Sequence, residues 1–192
     1  GVEAGFDLGF LVGYHSRSGT PSGLLSHTLV GTTIANLRLN GELLGETGLN
    51  ATILGGVGIP IGLVSGAHEL VSEAKADLPG EPVLVQVKRS LGVNAAICLP
   101  PSRTRGLLAD AAFEAVGRLR AGRLVVRTVS APVTIEIETY RREQYDRALT
   151  VAGIEDRGDR KFAATAADPV AALSLAWRAI ARSQDEPAAW MK

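Results

Sequence analysis

Ile59-Pro60-Ile61-Gly62-Leu63-Val64-Ser65-Gly66-Ala67-His68 is the stretch whose reading decides the fold class. Residues 59–64 are short and apolar, which predicts a buried strand. Pro60 stands near its start, where a missing N–H is tolerated. Ser65 is placed to cap a helix over residues 67–77, and Leu78-Pro79-Gly80 stops that helix. The apolar run over 83–87 then predicts a further strand. Strand, helix and strand in direct succession read as α/β.

The chain on either side continues this alternation. Leu8-Gly9-Phe10-Leu11-Val12 is apolar and flanked by glycine, which predicts a buried strand followed by a Gly-, Ser- and Pro-punctuated loop over 14–23. Residues 32–39 predict a strand that ends at Asn40-Gly41, a strong turn signal. Residues 42–57 carry Leu43, Leu49 and Ile53 at helical spacing, with Leu44 and Leu54 beside them, so a helix is predicted there. Gly55-Gly56-Val57-Gly58 reads as its terminus and turn, not as a nucleotide loop. Pro100-Pro101-Ser102 precedes an amphipathic helix in which Leu108, Ala111, Ala115 and Leu119 share a face. Residues 133–138 alternate, with Val133, Ile135 and Ile137 on one side, as in a half-exposed strand. Asp168-Pro169 opens a final helix with Leu173, Trp177 and Ile180 on its buried side. The expected architecture is a layered α/β arrangement of alternating strands and helices with a smaller C-terminal lobe. Within one domain over 1–192, residues 1–80 would bear the site and 81–192 would form the second lobe.

Composition narrows the function. Lysine plus arginine equals aspartate plus glutamate at 20 each, so the net charge is zero. A phosphate-backbone binder needs a basic excess or stripe, so nucleic acid is not an expected partner. The arginines of the second half are interspersed with acids and read as a solvated mixed surface. Hydrophobic residues make up 46% and charged residues 21%, enough for a packed core. Every apolar run is broken before membrane-spanning length, so no membrane partner is expected. A single cysteine excludes an internal disulfide framework and fits a reducing compartment, here expected to be the cytoplasm. Cys98, in Ala96-Ile97-Cys98-Leu99, reads as an inert buried thiol. The chain opens Gly1-Val2-Glu3 and not at methionine, which leaves both processing and a longer parent chain open.

The residues with chemistry gather early. Between Leu8 and Gly41 the only charged residues are Arg17 and Arg38, yet two of the three histidines, His15 and His27, lie there. His15 follows a predicted strand, where an α/β fold places site residues. Hydrogen-bonded structural histidines remain the competing reading. On the predicted helix, Glu42, Glu46 and Asn50 are four apart and share a face among leucines. A carboxylate in such a setting must be paired, hydrogen-bonded or metal-bound. Imidazole and carboxylate suit Zn²⁺, although two ligands are too few for a zinc site. His68, near the start of the next helix, reads equally as a site residue or a bland one, and Lys88 reads as a solvated strand-end lysine.

Val12-Gly13-Tyr14-His15, Ser18-Gly19-Thr20-Pro21, His27-Thr28, Asn40-Gly41, Gly45-Glu46 and Gly48-Leu49-Asn50-Ala51 resemble the M55 family of D-aminopeptidases. Ile59-Pro60-Ile61, Leu63-Val64-Ser65-Gly66, Val87-Lys88, Cys98-Leu99-Pro100-Pro101 and Pro132-Val133 continue the resemblance in order across nearly the whole chain. It implies an α/β metallopeptidase with two zinc ions sharing a bridging water, built into a ring-like homo-oligomer. By motif, His15 and Glu46 match metal ligands and His27 matches the histidine that acts in catalysis. Asn50 and His68 are then expected to orient ligands or meet substrate. The substrate class is a small peptide or amide. Family chains also have an N-terminal segment with further metal ligands, which implies that it comes from a separate or cleaved chain, that this is a fragment, or that the metal site has been lost, the first two being favoured. Without that segment, the apolar edge over 8–12 is expected to be exposed. A non-catalytic partner chain supporting an oligomer, and a small-molecule binding module, are the alternatives. The family's two acidic residues after Gly66 are here Ala67-His68, which implies weaker affinity for a substrate ammonium group.

Overall fold

The computed structural model describes residues 5–184. Gly1, Val2 and Glu3, singled out above, lie outside the described residues. The chain divides into two compact units, each α/β in its own way. One runs to His27 and resumes over Leu44–Val129; the other takes Thr28–Leu43 and continues from Ser130. The expected division near residue 80 does not coincide with these units. Strands from the early chain pair with strands after residue 130, so the second unit is assembled from two distant segments.

The first unit holds a four-stranded sheet of β1 (Gly9–Tyr14), β4 (Ile61–Ala67), β5 (Val83–Gly92) and β6 (Ala95–Cys98), in that spatial order. β1 and β5 flank β4 in parallel, and β6 turns back antiparallel on β5. β4 is buried at every position, as its unbroken apolar run predicts for a central parallel strand. Its neighbouring residues serve opposite faces. Val64 joins Leu11, Ala51, Ile61, Leu70, Ala74 and Leu78, while Leu63 joins Val83, Ala111 and Ala115. The first group brings in α1 (Glu46–Gly55) and α2 (His68–Asp77), and the second brings in α3 (Pro101–Arg120). Ala111 and Ala115 of α3 are buried, on the face the sequence assigned.

Several expectations need correction here. β1 is a strand, but it is the sheet edge. Leu11 is buried, whereas Phe10 and Val12 are 42% and 54% exposed. Ser65 does not cap α2: it lies inside β4, and its Oγ accepts the Gly13 N–H at 3.1 Å. Ala67 precedes α2 without any side-chain cap. The helix predicted over 42–57 begins only at Glu46, because Glu42 and Leu43 form a short strand, β3. Glu42 therefore does not share a helix face with Glu46 and Asn50. Cys98 is exposed, because β6 closes the open end of the sheet, where Ile97 is also half-exposed.

The second unit is an antiparallel five-stranded sheet, ordered β3-β2-β7-β9-β8, with β2 at Ile34–Leu39, β7 at Val133–Thr139, β8 at Glu155–Asp156 and β9 at Lys161–Ala166. Asn40 and Gly41 both have positive φ, 49° and 87°, and pair Leu39 with Glu42 across a two-residue turn. That is the hairpin geometry whose twist matches the strands, and glycine adopts it at no steric cost. β7 alternates as predicted, with Val133, Ile135 and Ile137 buried. α4 (Arg142–Ala148) and α5 (Pro169–Ser183) pack with this sheet. Asp168 caps α5, its Oδ1 accepting the Ala171 N–H at 2.9 Å. The buried stripe of α5 is Ala172, Ala176, Ala179 and Ile180. Trp177 is 45% exposed, contrary to the predicted face, because the small alanines let the helix approach the sheet and turn the indole outward.

Candidate metal centre

The site grows from the end of β1. Gly13 has φ 77°, and the β1–β4 register shifts between Val12 and Tyr14. A bulge of this kind re-aims the residues that follow it. Tyr14 and His15 are those residues. The loop then folds back until the His27 N–H donates to the Ser16 carbonyl at 3.3 Å, which returns His27 to the neighbourhood of His15. Two bonds hold the loop's far side to the β5–β6 hairpin: the Leu25 N–H to the Val93 carbonyl at 2.7 Å, and the Leu24 N–H to Ser90 Oγ at 3.2 Å. Leu25 itself sits at φ 50°, a strained conformation for a leucine. Its carbonyl is the one that accepts a hydrogen bond from His27.

His15 and His27 stack, with ring centroids 3.9 Å apart and planes 20° apart. Each Nδ1 meets a backbone carbonyl, His15 at Ser16 O (3.1 Å) and His27 at Leu25 O (2.7 Å). A carbonyl can only accept, so both Nδ1 atoms carry a proton, and in the neutral tautomer each Nε2 offers a lone pair. Those lone pairs face Glu46 Oε1, at 3.7 Å from His15 and 3.8 Å from His27. One atom from each residue lies within 4.8 Å of the other two. With the histidines neutral, three electron-pair donors converge, a donor set that a cation could occupy. Neutral imidazole fixed through its other nitrogen, plus a carboxylate, is a donor set that fits Zn²⁺.

Glu46 is the first residue of α1. Asn50 lies one turn on along α1. Its Nδ2 donates to the Tyr14 hydroxyl at 3.0 Å. Burial pushes the Tyr14 phenol up, the Asn50 hydrogen bond opposes this, and the Glu46 charge adds to it. His68 is exposed at the start of α2, where its carbonyl accepts the Ser72 hydroxyl at 3.1 Å. The sequence thus named the three converging residues, and missed two that border them. Tyr14 was adjacent to His15 but read only as loop. Glu73, on α2, stood three residues after buried Leu70 and next to buried Ala74, which places it on the flank of the buried stripe. Burial raises the Glu73 carboxyl to about 7, against the Arg17 backbone hydrogen bond that lowers it, with the charge of Asp77 adding to the rise.

The comparison with known proteins follows this geometry. The M55 peptidase family model, described as D-aminopeptidase, matches residues 1–177. The chain belongs to that family. A D-aminopeptidase of Bacillus subtilis (strain 168) is 30% identical over 110 residues, covering 57% of this chain and 39% of its own. In fold, this M55 chain is similar to the solved structure titled Zn-dependent D-aminopeptidase DppA from Bacillus subtilis, a self-compartmentalizing protease. The TM-score is 0.85 at 24% identity, over 93% of this chain and 65% of that one. The M55 chain therefore spans less than two thirds of the length of either relative. The α/β architecture expected of the family is the one found.

Proposed function

We propose that this M55 chain is the site-bearing part of a zinc-dependent hydrolase of peptide or amide bonds, of the D-aminopeptidase type. The observation that carries the reading is the convergence of His15, His27 and Glu46, one ligand atom of each within 4.8 Å of the others and both Nε2 atoms 3.7–3.8 Å from Glu46 Oε1, with each Nδ1 held at a backbone carbonyl. His15 and Glu46 hold the metal. Zinc, when bound, lowers the pKa of water and polarises the scissile carbonyl, with two ions per complete site. His27 takes a proton from the attacking water and delivers it to the leaving amine. Its side chain is 37% exposed against 21% for His15, which suits the residue that must meet substrate. Asn50 orients the Tyr14 hydroxyl beside Glu46, and His68 faces the substrate at the C-terminal end of β4. A four-coordinate zinc needs more ligands than His15 and Glu46 supply. The rest come from outside the described residues. The working form is a homo-oligomer in the cytoplasm, where exposed Cys98 stays reduced.

The test is hydrolysis of a D-aminoacyl amide and its L-enantiomer by the assembly as isolated, before and after chelation. The proposal expects activity that chelation abolishes and added zinc restores. Activity that survives complete chelation refutes it.

A further inference from the structure

Glu73 lies outside the His15–His27–Glu46 trio, yet it touches both backbones that carry it. Its Oε2 accepts the Arg17 N–H at 2.7 Å, and Arg17 stands two positions after His15. Its Oε1 is buried, has no hydrogen-bond partner, and is packed against Gly45, the residue before Glu46. A Cβ on Gly45 would collide with that oxygen and come 2.8 Å from the Arg17 Cβ. The exit from β1, the entry to α1 and the middle of α2 therefore meet at one carboxyl group.

A carboxyl oxygen left without a hydrogen bond in a buried place is costly, and an apolar side chain would cost less. Neighbouring positions on the same helix show what packing alone selects: Leu70 and Ala74 are both fully buried. What a carboxyl at 73 provides, and a hydrocarbon does not, is an acceptor for the Arg17 N–H. Gly45, which ends in α1 without a side-chain cap, supplies the space that lets the carboxyl stand between the two strands of backbone. Distances between metal ligands must hold to a few tenths of an ångström, and groups behind the ligands enforce them.

We propose that Glu73 is a positioning residue for the zinc site: by binding the Arg17 backbone with one oxygen and spacing Gly45 with the other, it sets the separation of His15 from Glu46. The inference rests on the zinc-site reading for the residues it positions. Glu73 itself touches neither metal nor substrate.

The experiment uses the assembly as isolated, carrying Glu73→Gln, Glu73→Asp or Glu73→Ala. Gln keeps the acceptor and the length, so its zinc Kd, read by chelator competition, is expected within about threefold of the unaltered chain. Asp withdraws the carboxyl and Ala removes it, so zinc affinity falls by about 10-fold to 100-fold. A general loss of stability would not separate Gln from Asp in this way. Asp also keeps the proposal testable if Ala does not fold. The second readout needs no zinc: in metal-free crystals of the Asp or Ala variant, the His15 Nε2–Glu46 Oε1 distance of 3.7 Å is expected to widen by about 1 Å or more. If the unaltered assembly binds no zinc, the zinc-site reading fails, while this distance still decides the role of Glu73. An unchanged distance, or equal zinc affinity in Gln, Asp and Ala variants, overturns the proposal.

Discussion

His15 and His27 stack at 3.9 Å, and each presents its Nε2 to the same carboxylate oxygen of Glu46. The two rings are near-equivalent in distance and differ in exposure, and the proposed division of labour turns on that difference. His27→Ala is expected to leave zinc content intact while kcat falls by about 10²-fold to 10⁴-fold, the usual contribution of a general acid–base. Metal analysis beside steady-state kinetics checks this. A collapse of zinc content would make His27 a ligand and not a proton carrier.

Asn50 and Tyr14 form a pair one step behind Glu46. The hydrogen bond lowers the Tyr14 pKa, so Asn50→Ala should move the phenol further up from its already raised position. Ultraviolet titration, with Tyr14→Phe as the difference control, reads the shift. A double-mutant cycle should give a coupling of about 1 kcal/mol, the size of one ordinary side-chain hydrogen bond.

The Glu73 carboxyl has a signature in metal-free stability. Its folded value of about 7 lies above the ordinary 4.5, so the native state holds this proton more tightly than the unfolded state. Below about pH 4.5 both states are protonated and the group contributes no penalty. Stability then falls as pH rises toward about 7, because the unfolded chain releases a proton the native chain keeps. Glu73→Gln removes that slope and is expected to be more stable than the unaltered chain above pH 7. The gain, reduced by solvent screening, is on the order of 1–2 kcal/mol. Denaturant titrations of both chains across the window measure it. Parallel curves would contradict it.

In the second unit, Gly41 at φ 87° has open space around it, so a larger residue meets backbone strain and no clash. Gly41→Ala should cost about 1 kcal/mol without altering the fold, read as a lower denaturation midpoint with an unchanged slope.

Much of this was legible in the chain. β4 announced itself because a strand covered on both faces must be apolar throughout, and β7 because a half-covered strand must alternate. Asn40-Gly41 and Asp168-Pro169 act through local backbone chemistry, so local sequence sufficed for the turn and the cap. What failed depended on partners on another strand. Glu42 and Leu43 fit a helical pattern, but pairing with Leu39 and Arg38 drew them into a strand. Ser65 has capping chemistry, but its hydroxyl is taken by Gly13 on the neighbouring strand. The strands β6 and β9 and the helix α4 went unread. β9 mixes small alanines and threonine into a strand whose burial comes from its neighbours. At the site, the trio was legible because histidines and a glutamate in a charge-poor stretch are conspicuous. Glu73 was not, since only the fold brings it to Arg17 and Gly45.

Zinc affinity of the assembly as isolated, beside the same assembly carrying His15→Ala or Glu46→Gln, each checked for folding, tests the central claim most directly. The account predicts that the unaltered assembly binds zinc and that each substitution weakens binding by about 100-fold or more, because each removes one of the ligands this chain supplies. Zinc binding that is absent from the unaltered assembly, or indifferent to both substitutions, would contradict it.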